Sequence, residues 1–151
     1  MDTSPPVDVV SGVFMLAREL RREIGELMAH EPWAIDAGFR PPCLGVMSVV
    51  AKMGPVSQRA ISDRLGLDAS DVVGVLDILE TAGMVERRRD PDDRRRHAVV
   101  LTEAGHQASQ RLSVLRSQVE AKVLAGLEPD ERRQLADLLD RALNARQSSP
   151  A

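Results

Sequence analysis

Residues 56–101 read VSQRAISDRLGLDASDVVGVLDILETAGMVERRRDPDDRRRHAVVL, and the fold turns on this stretch. Ser57 is a good N-cap, with Val56 and Ile61 spaced as a hydrophobic staple, and Gly66 stops the helix that follows. Asp68 is placed to cap a second helix, with Asp71 at its third position and Leu67 opposite Val72. Val72, Val75, Leu76 and Leu79 recur at helical spacing and form its buried stripe. Gly83 supplies a left-handed stop. Two strand-like pieces, Met84 to Arg88 and Ala98 to Leu101, flank the charged turn Asp90-Pro91-Asp92-Asp93 and predict a β-hairpin. Helix, tight turn, helix and hairpin, in that order, make a winged helix-turn-helix, whose second helix enters the major groove of duplex DNA.

The residues expected to touch DNA follow from that geometry. The first turn of the Ser57 helix offers free N–H groups to a phosphate, with Gln58 and Arg59 beside them. The face of the second helix opposite its stripe presents Ser70, Val73 and Gly74, with Asp71 alongside, and then Asp77 and Ile78. In the hairpin, Arg87, Arg88 and Arg89 precede the tip and Arg94, Arg95 and Arg96 follow it. Arginine at such a tip can enter a minor groove, where the negative potential is strong. Asp68, Asp71, Asp77 and Glu80 make the second helix acidic. This motivates an alternative, an interaction module of the same fold with weak or lost operator binding.

Outward from this unit the pattern stays helical. Upstream, Val9, Val13, Leu16, Leu20, Ile24 and Leu27 form the stripe of a long amphipathic helix ending near Ala29. Pro32, Gly38 and Pro41-Pro42 then read as loop. Another helix starts near Pro42 and runs to about Met53, where Gly54-Pro55 breaks it. Downstream, Thr102 caps a helix striped by Ala104, Ala108, Leu112, Leu115 and Val119 and ended by Gly126. Pro129 opens a last helix striped by Leu135, Leu138, Leu139 and Ala142. The predicted fold is mainly α with a small β-hairpin wing. Residues 41–101 form the winged helix-turn-helix, and residues 8–29 and 102–146 form flanking dimerisation helices. The terminal stripes are too apolar to leave in water, so a homodimer is expected.

Composition narrows the function. A chain of 151 residues, 43% of them hydrophobic, fits one domain with a real core. Aromatics at 2%, with no Tyr, argue against a stacking platform for single-stranded nucleic acid. A net charge of −3 means that DNA contact must come from local concentrations of arginine. The single cysteine, Cys43, excludes an intrachain disulfide and fits a reducing cytoplasm. No apolar run is long enough to span a membrane, and the N-terminus carries no signal-peptide pattern. There is no phosphate-binding glycine loop and no nucleophile motif, so neither an enzyme nor a cofactor is expected. The three histidines are scattered, and no metal site is expected.

Several segments together resemble the MarR family of bacterial regulators: Leu65-Gly66-Leu67, Leu79-Glu80, Gly83-Met84-Val85-Glu86-Arg87, Asp90-Pro91-Asp92-Asp93-Arg94-Arg95 and Leu101-Thr102-Glu103-Ala104-Gly105. Asp93-x-Arg95 followed by Leu101-Thr102 is the most specific of these. The resemblance spans nearly the whole chain, 1–151, as a single domain. It implies a triangular homodimer with intertwined terminal helices, bound to a pseudo-palindromic operator and answering to a small-molecule effector or an oxidant, as a repressor or, alternatively, an activator. It also implies that Arg95 is the minor-groove residue and that Asp93 holds the wing tip. The chain departs from the family at Asp71, Gly74 and Ile78, where Thr, Arg and Arg would be usual.

Two sensing sites are candidates. His30, Trp33, Phe39 and Met47 could line an apolar effector pocket with one polar handle. Cys43 lies in a helix's first turn next to Arg40, and both features favour a thiolate and a redox role. The plainer alternatives are core packing for the first group and a small buried thiol for the second.

Overall fold

The structure, a computed structural model, describes residues 6–90, 92–93 and 95–147. The elements in chain order are α1 (Val9–Met28), α2 (Pro32–Asp36), α3 (Pro41–Met53), β1 (Val56–Ser57), α4 (Gln58–Leu65), α5 (Ala69–Thr81), β2 (Val85–Arg89), β3 (His97–Leu101), α6 (Glu103–Val123) and α7 (Pro129–Gln147). This is the expected mainly α chain with a small antiparallel sheet.

Local chemistry sets the boundaries of the central unit. The Ser57 side chain accepts from the Ala60 N–H and starts α4, and Gly66 ends it at φ 63°. After α5, Gly83 at φ 72° closes a Schellman turn. Its N–H donates to Glu80 O, and the Met84 N–H donates to Leu79 O. Met84 is spent in that turn, so β2 begins one residue later than the sequence suggested. Asp68 holds the N-cap position of α5 but makes no side-chain capping bond; only its carbonyl, accepting from Val72, serves the helix.

Two elements differ from expectation. The 30–40 stretch, read as loop, holds α2, because Pro32 sits in a helical first turn where its missing N–H costs nothing. The hairpin is part of a three-stranded sheet of order β1-β3-β2. Val56 and Ser57 pair with Val99 and Ala98 on one edge of β3, while Val85 to Arg89 pair with Leu101 to His97 on the other.

The core lies within the winged unit. Val46, Met47 and Val50 of α3 meet Ile61 of α4, the Val72-Val75-Leu76-Leu79 stripe of α5, Val85 and Val99 of the sheet, and Leu112 of α6. Burying that stripe is what turns the other side of α5 to solvent. The terminal helices are covered differently. Val9, Val10, Val13, Phe14 and Met15 of α1 and Leu138, Leu139 and Leu143 of α7 are exposed. Among the described residues, no helix is long and apolar enough to cross a membrane.

Candidate nucleic-acid interface

At the start of α4 the Ser57 hydroxyl is occupied as the cap, 3.1 Å from the Ala60 nitrogen. That leaves the N–H groups of Gln58 and Arg59 at the helix's positive end. Ser57, Gln58 and Arg59 share one groove with Arg96 and His97 at the base of the wing. The structure thus brings together residues that the sequence separates by nearly forty positions. The Arg59 side chain is 91% exposed, with Asp63 at 4.0 Å. His97 escaped the sequence reading; its place directly after the arginine run was the available signal.

On α5, Ser70, Asp71 and Val73 are exposed and Gly74 is half-buried. A Cβ at Gly74 would meet nothing nearer than the Arg40 guanidinium, at 3.8 Å. No close approach of backbones therefore requires glycine here. Ile78, expected on the open face, is half-buried and packs against the core.

The wing is braced from within. The Asp93 carboxylate accepts from the Arg95 N–H at 3.0 Å, and the Arg96 N–H donates to Asp93 O. The Arg96 guanidinium returns to Asp93 at 3.4 Å. Arg88 pairs with Glu86. Arg95 is exposed, and among the described residues its guanidinium meets no carboxylate. Arg94 lies outside the described residues.

Arg87 does not behave as one of a row of free wing arginines. Its side chain is only 20% exposed and lies 2.8 Å from Asp77. It also pairs with Glu80, and its Nε donates to Gln58 Oε1 at 2.9 Å. Two of the carboxylates that make α5 look acidic are thereby turned to an internal cation. No local pattern signals this, because the partners lie on α4 and α5.

Of the four residues proposed to line an effector pocket, Trp33 and Phe39 pack against the cluster that holds Met47, and the exposed His30 stands apart from it. Met47 is fully buried in the winged core. Trp33 and Phe39 meet edge to face with centroids 5.6 Å apart, and the indole N–H is satisfied by Glu31 at 2.7 Å. His30 is exposed and its Nδ1 lies 2.7 Å from Glu26 O. A separate apolar cavity of about 330 Å³ lies between α1, α6 and α7, with Leu44 of α3 also at its wall. Leu16, Leu20, Ile24, Leu115, Val119 and Leu135 line it, with Arg116, Glu120 and Arg132 as polar groups.

Cys43 is fully buried. Burial pushes its thiol up, outweighing the Arg40 N–H and the Arg40 charge that favour thiolate. The Arg40 cation is near Cys43, but desolvation is the larger influence on the thiol.

The arrangement of α4, α5 and the wing is shared with known regulators. The family model described as the MarR family matches residues 37–96. A putative transcriptional regulatory protein for the hcr operon of Thauera aromatica is 32% identical over 140 residues, covering 90% of this chain and 83% of that one. The uncharacterised helix-turn-helix-type regulator YkoM of Bacillus subtilis is 33% identical over 107 residues, 71% of this chain and 70% of that one. Among solved structures, the PcaV transcriptional regulator of Streptomyces coelicolor in complex with its natural ligand is 28% identical, with a TM-score of 0.63 over 95% of this chain and 99% of that one. With the helix-turn-helix, the wing and these likenesses in agreement, the chain belongs to the MarR family of DNA-binding transcriptional regulators.

Proposed function

We propose that the chain works in the cytoplasm as a homodimeric repressor that holds a pseudo-palindromic operator and responds to a small-molecule effector. The observation that carries this reading is the contrast between a finished core and unfinished ends. The winged unit buries its own stripe, while α1 and α7 leave Phe14 at 71% and Leu143 at 61% exposure. A second copy of the chain would cover such faces and supply the two-fold symmetry that a palindromic site matches. A dimer whose operator overlaps a promoter would repress by excluding polymerase. Support for an effector comes from the 330 Å³ cavity, apolar with two arginines and a glutamate at its walls, and from PcaV, solved with its natural ligand. An apolar acid suits that lining. The acidity of α5, which favoured an interaction module without an operator, loses part of its weight because Asp77 and Glu80 face Arg87.

Sedimentation and a gel shift on the DNA upstream of its own reading frame test the proposal together. A dimer at micromolar concentration that shifts the fragment is expected. A monomer would overturn the assembly, and a dimer that shifts no DNA would leave the interaction module as the better reading.

A further inference from the structure

We propose that Arg87 is a positioning residue for DNA binding: it neutralises the recognition helix and locks it to the wing, and it does not itself touch DNA. The inference rests on the reading above, that α5 and the wing face the duplex. Its own basis is the set of bonds around one side chain. Asp77 and Glu80 are three residues apart on α5 and so lie on one face of the helix. The Arg87 Nη2 sits 2.8 Å from Asp77 Oδ1, and its Nη1 donates to Glu80 Oε2. Its backbone N–H donates to Glu80 Oε1 at 3.3 Å. Its Nε reaches Gln58 Oε1 at 2.9 Å. Each guanidinium nitrogen is thus committed inside the protein, and one residue joins β2, α5 and α4.

Two consequences follow. A carboxylate on a face that approaches phosphates repels them, so cancelling Asp77 and Glu80 removes a penalty that α5 would otherwise carry into the groove. Fixing the amide oxygen of Gln58 also orients its side chain at the α4 N-terminus, beside the N–H groups available to a phosphate. Only the planar fork of arginine spans these partners. Lysine would keep the charge and lose the three-way link.

The test is a mutational cycle, read by anisotropy of a labelled random-sequence duplex across a salt series, with the upstream fragment measured alongside. Arg87→Ala is expected to lose about tenfold in affinity for the random duplex. In an Asp77→Asn/Glu80→Gln background the same replacement is expected to cost less than about threefold and to leave the salt slope unchanged, because no phosphate contact is removed. An equal loss in both backgrounds, with the slope reduced by about one in each, makes Arg87 a DNA contact and overturns the proposal. Should Arg87→Ala not fold, Arg87→Lys decides. A phosphate contact survives that change, whereas a positioning role predicts a loss at an unchanged salt slope, because lysine keeps the charge and loses the link to Gln58. If the wild-type chain binds neither duplex, the DNA reading fails before any substitution is made, and this role fails with it.

Discussion

Lys122 Nζ on α6 stands 2.5 Å from Oε2 of Glu23 on α1, whose side chain is only 4% exposed. Arg22 shares the same carboxylate at 3.1 Å. The pair ties the first helix to the one that leads out of the wing. Removing the cation that serves a buried carboxylate strands the carboxylate, which costs more than the intact pair contributes. Lys122→Met is expected to destabilise the protein by about 1–2 kcal/mol, below the roughly 3–5 kcal/mol of a fully buried pair, because Lys122 is itself 64% exposed and Arg22 remains. Adding Glu23→Met should recover most of the loss. Urea unfolding at one fixed protein concentration reads both, because a dimer's stability depends on concentration. A double variant weaker than Lys122→Met alone would refute this account of the pair.

Two glycines predict opposite signs. A Cβ on Gly105 would stand 1.9 Å from the Met84 carbonyl oxygen, where the first turn of α6 presses on the turn after α5. Thr102 fixes that contact by accepting from the Gly105 N–H at 3.0 Å and donating to Gly83 O at 2.5 Å. Gly105→Ala must move backbone and should cost roughly 2–4 kcal/mol. Gly74→Ala meets only ordinary contact and should gain up to about 1 kcal/mol of helix propensity. Thermal unfolding checks the pair, and a stabilising Gly105→Ala would contradict the observed packing.

The Cys43 thiol is raised by burial, which gives a kinetic and a thermodynamic expectation. Thiol reagents should label the native protein slowly, limited by opening of the core, and the unfolded chain at once. The folded state holds the thiol proton where the unfolded chain releases it. Stability from this source is complete below the ordinary thiol value of about 8.5 and is lost as the pH rises through the folded value. Between about pH 8 and pH 10 the wild type should therefore lose stability more steeply than Cys43→Ala. Complete labelling of the native protein within mixing time would restore the redox reading.

How far the sequence reached depends on the range of the interaction involved. Ser57 and Gly83 act within a few residues, so the limits of α4 and α5 were legible from their caps. β1 was not, because two residues carry no periodicity and their partners, Val99 and Ala98, come more than forty positions later. Arg87 reads as one of three adjacent arginines, and only the fold shows that Asp77, Glu80 and Gln58 consume it. The stripe of α1 was plain, but which helices face it was not. The cavity lined by Leu16, Leu20 and Ile24 depends on that facing and so has no local signature in the sequence.

Arg87, Arg88 and Arg96 are each paired to a carboxylate, whereas Arg89 and Arg95 are exposed and, among the described residues, meet none; of these two, Arg95 is the one that Asp93 positions. Asp93 holds its backbone at 3.0 Å and leaves its guanidinium exposed. Arg95→Ala should weaken binding to all sequences alike and reduce the salt slope by roughly one contact. Anisotropy titrations across a salt series give both quantities, and an unchanged slope would exclude Arg95 as a phosphate or minor-groove contact.

The operator should be read more by shape and spacing than by single bases. A two-fold dimer presents two α5 helices to major grooves on one side of the duplex, so half-sites should be centred about 10 bp apart. The wings then fall on the outer minor grooves, which A·T-rich flanks narrow to the advantage of Arg95. Within a half-site, Val73 can touch a thymine methyl and Ser70 can bond to several base edges, and neither discriminates strongly. Gly74 offers no side chain at all, although the Arg40 guanidinium lies beside it, 3.8 Å from where a Cβ would stand. A Cβ at Gly74 meets only ordinary contact, and Gly74→Arg would bring a second guanidinium near the first. It should tighten binding and raise preference for guanine in the half-site, since arginine pairs bidentately with that base. Footprinting gives the spacing, and a base-by-base substitution series gives the discrimination for wild type and Gly74→Arg. If one central base pair carries most of the wild-type discrimination while flank composition makes no difference, α5 reads bases directly and this account of specificity is wrong.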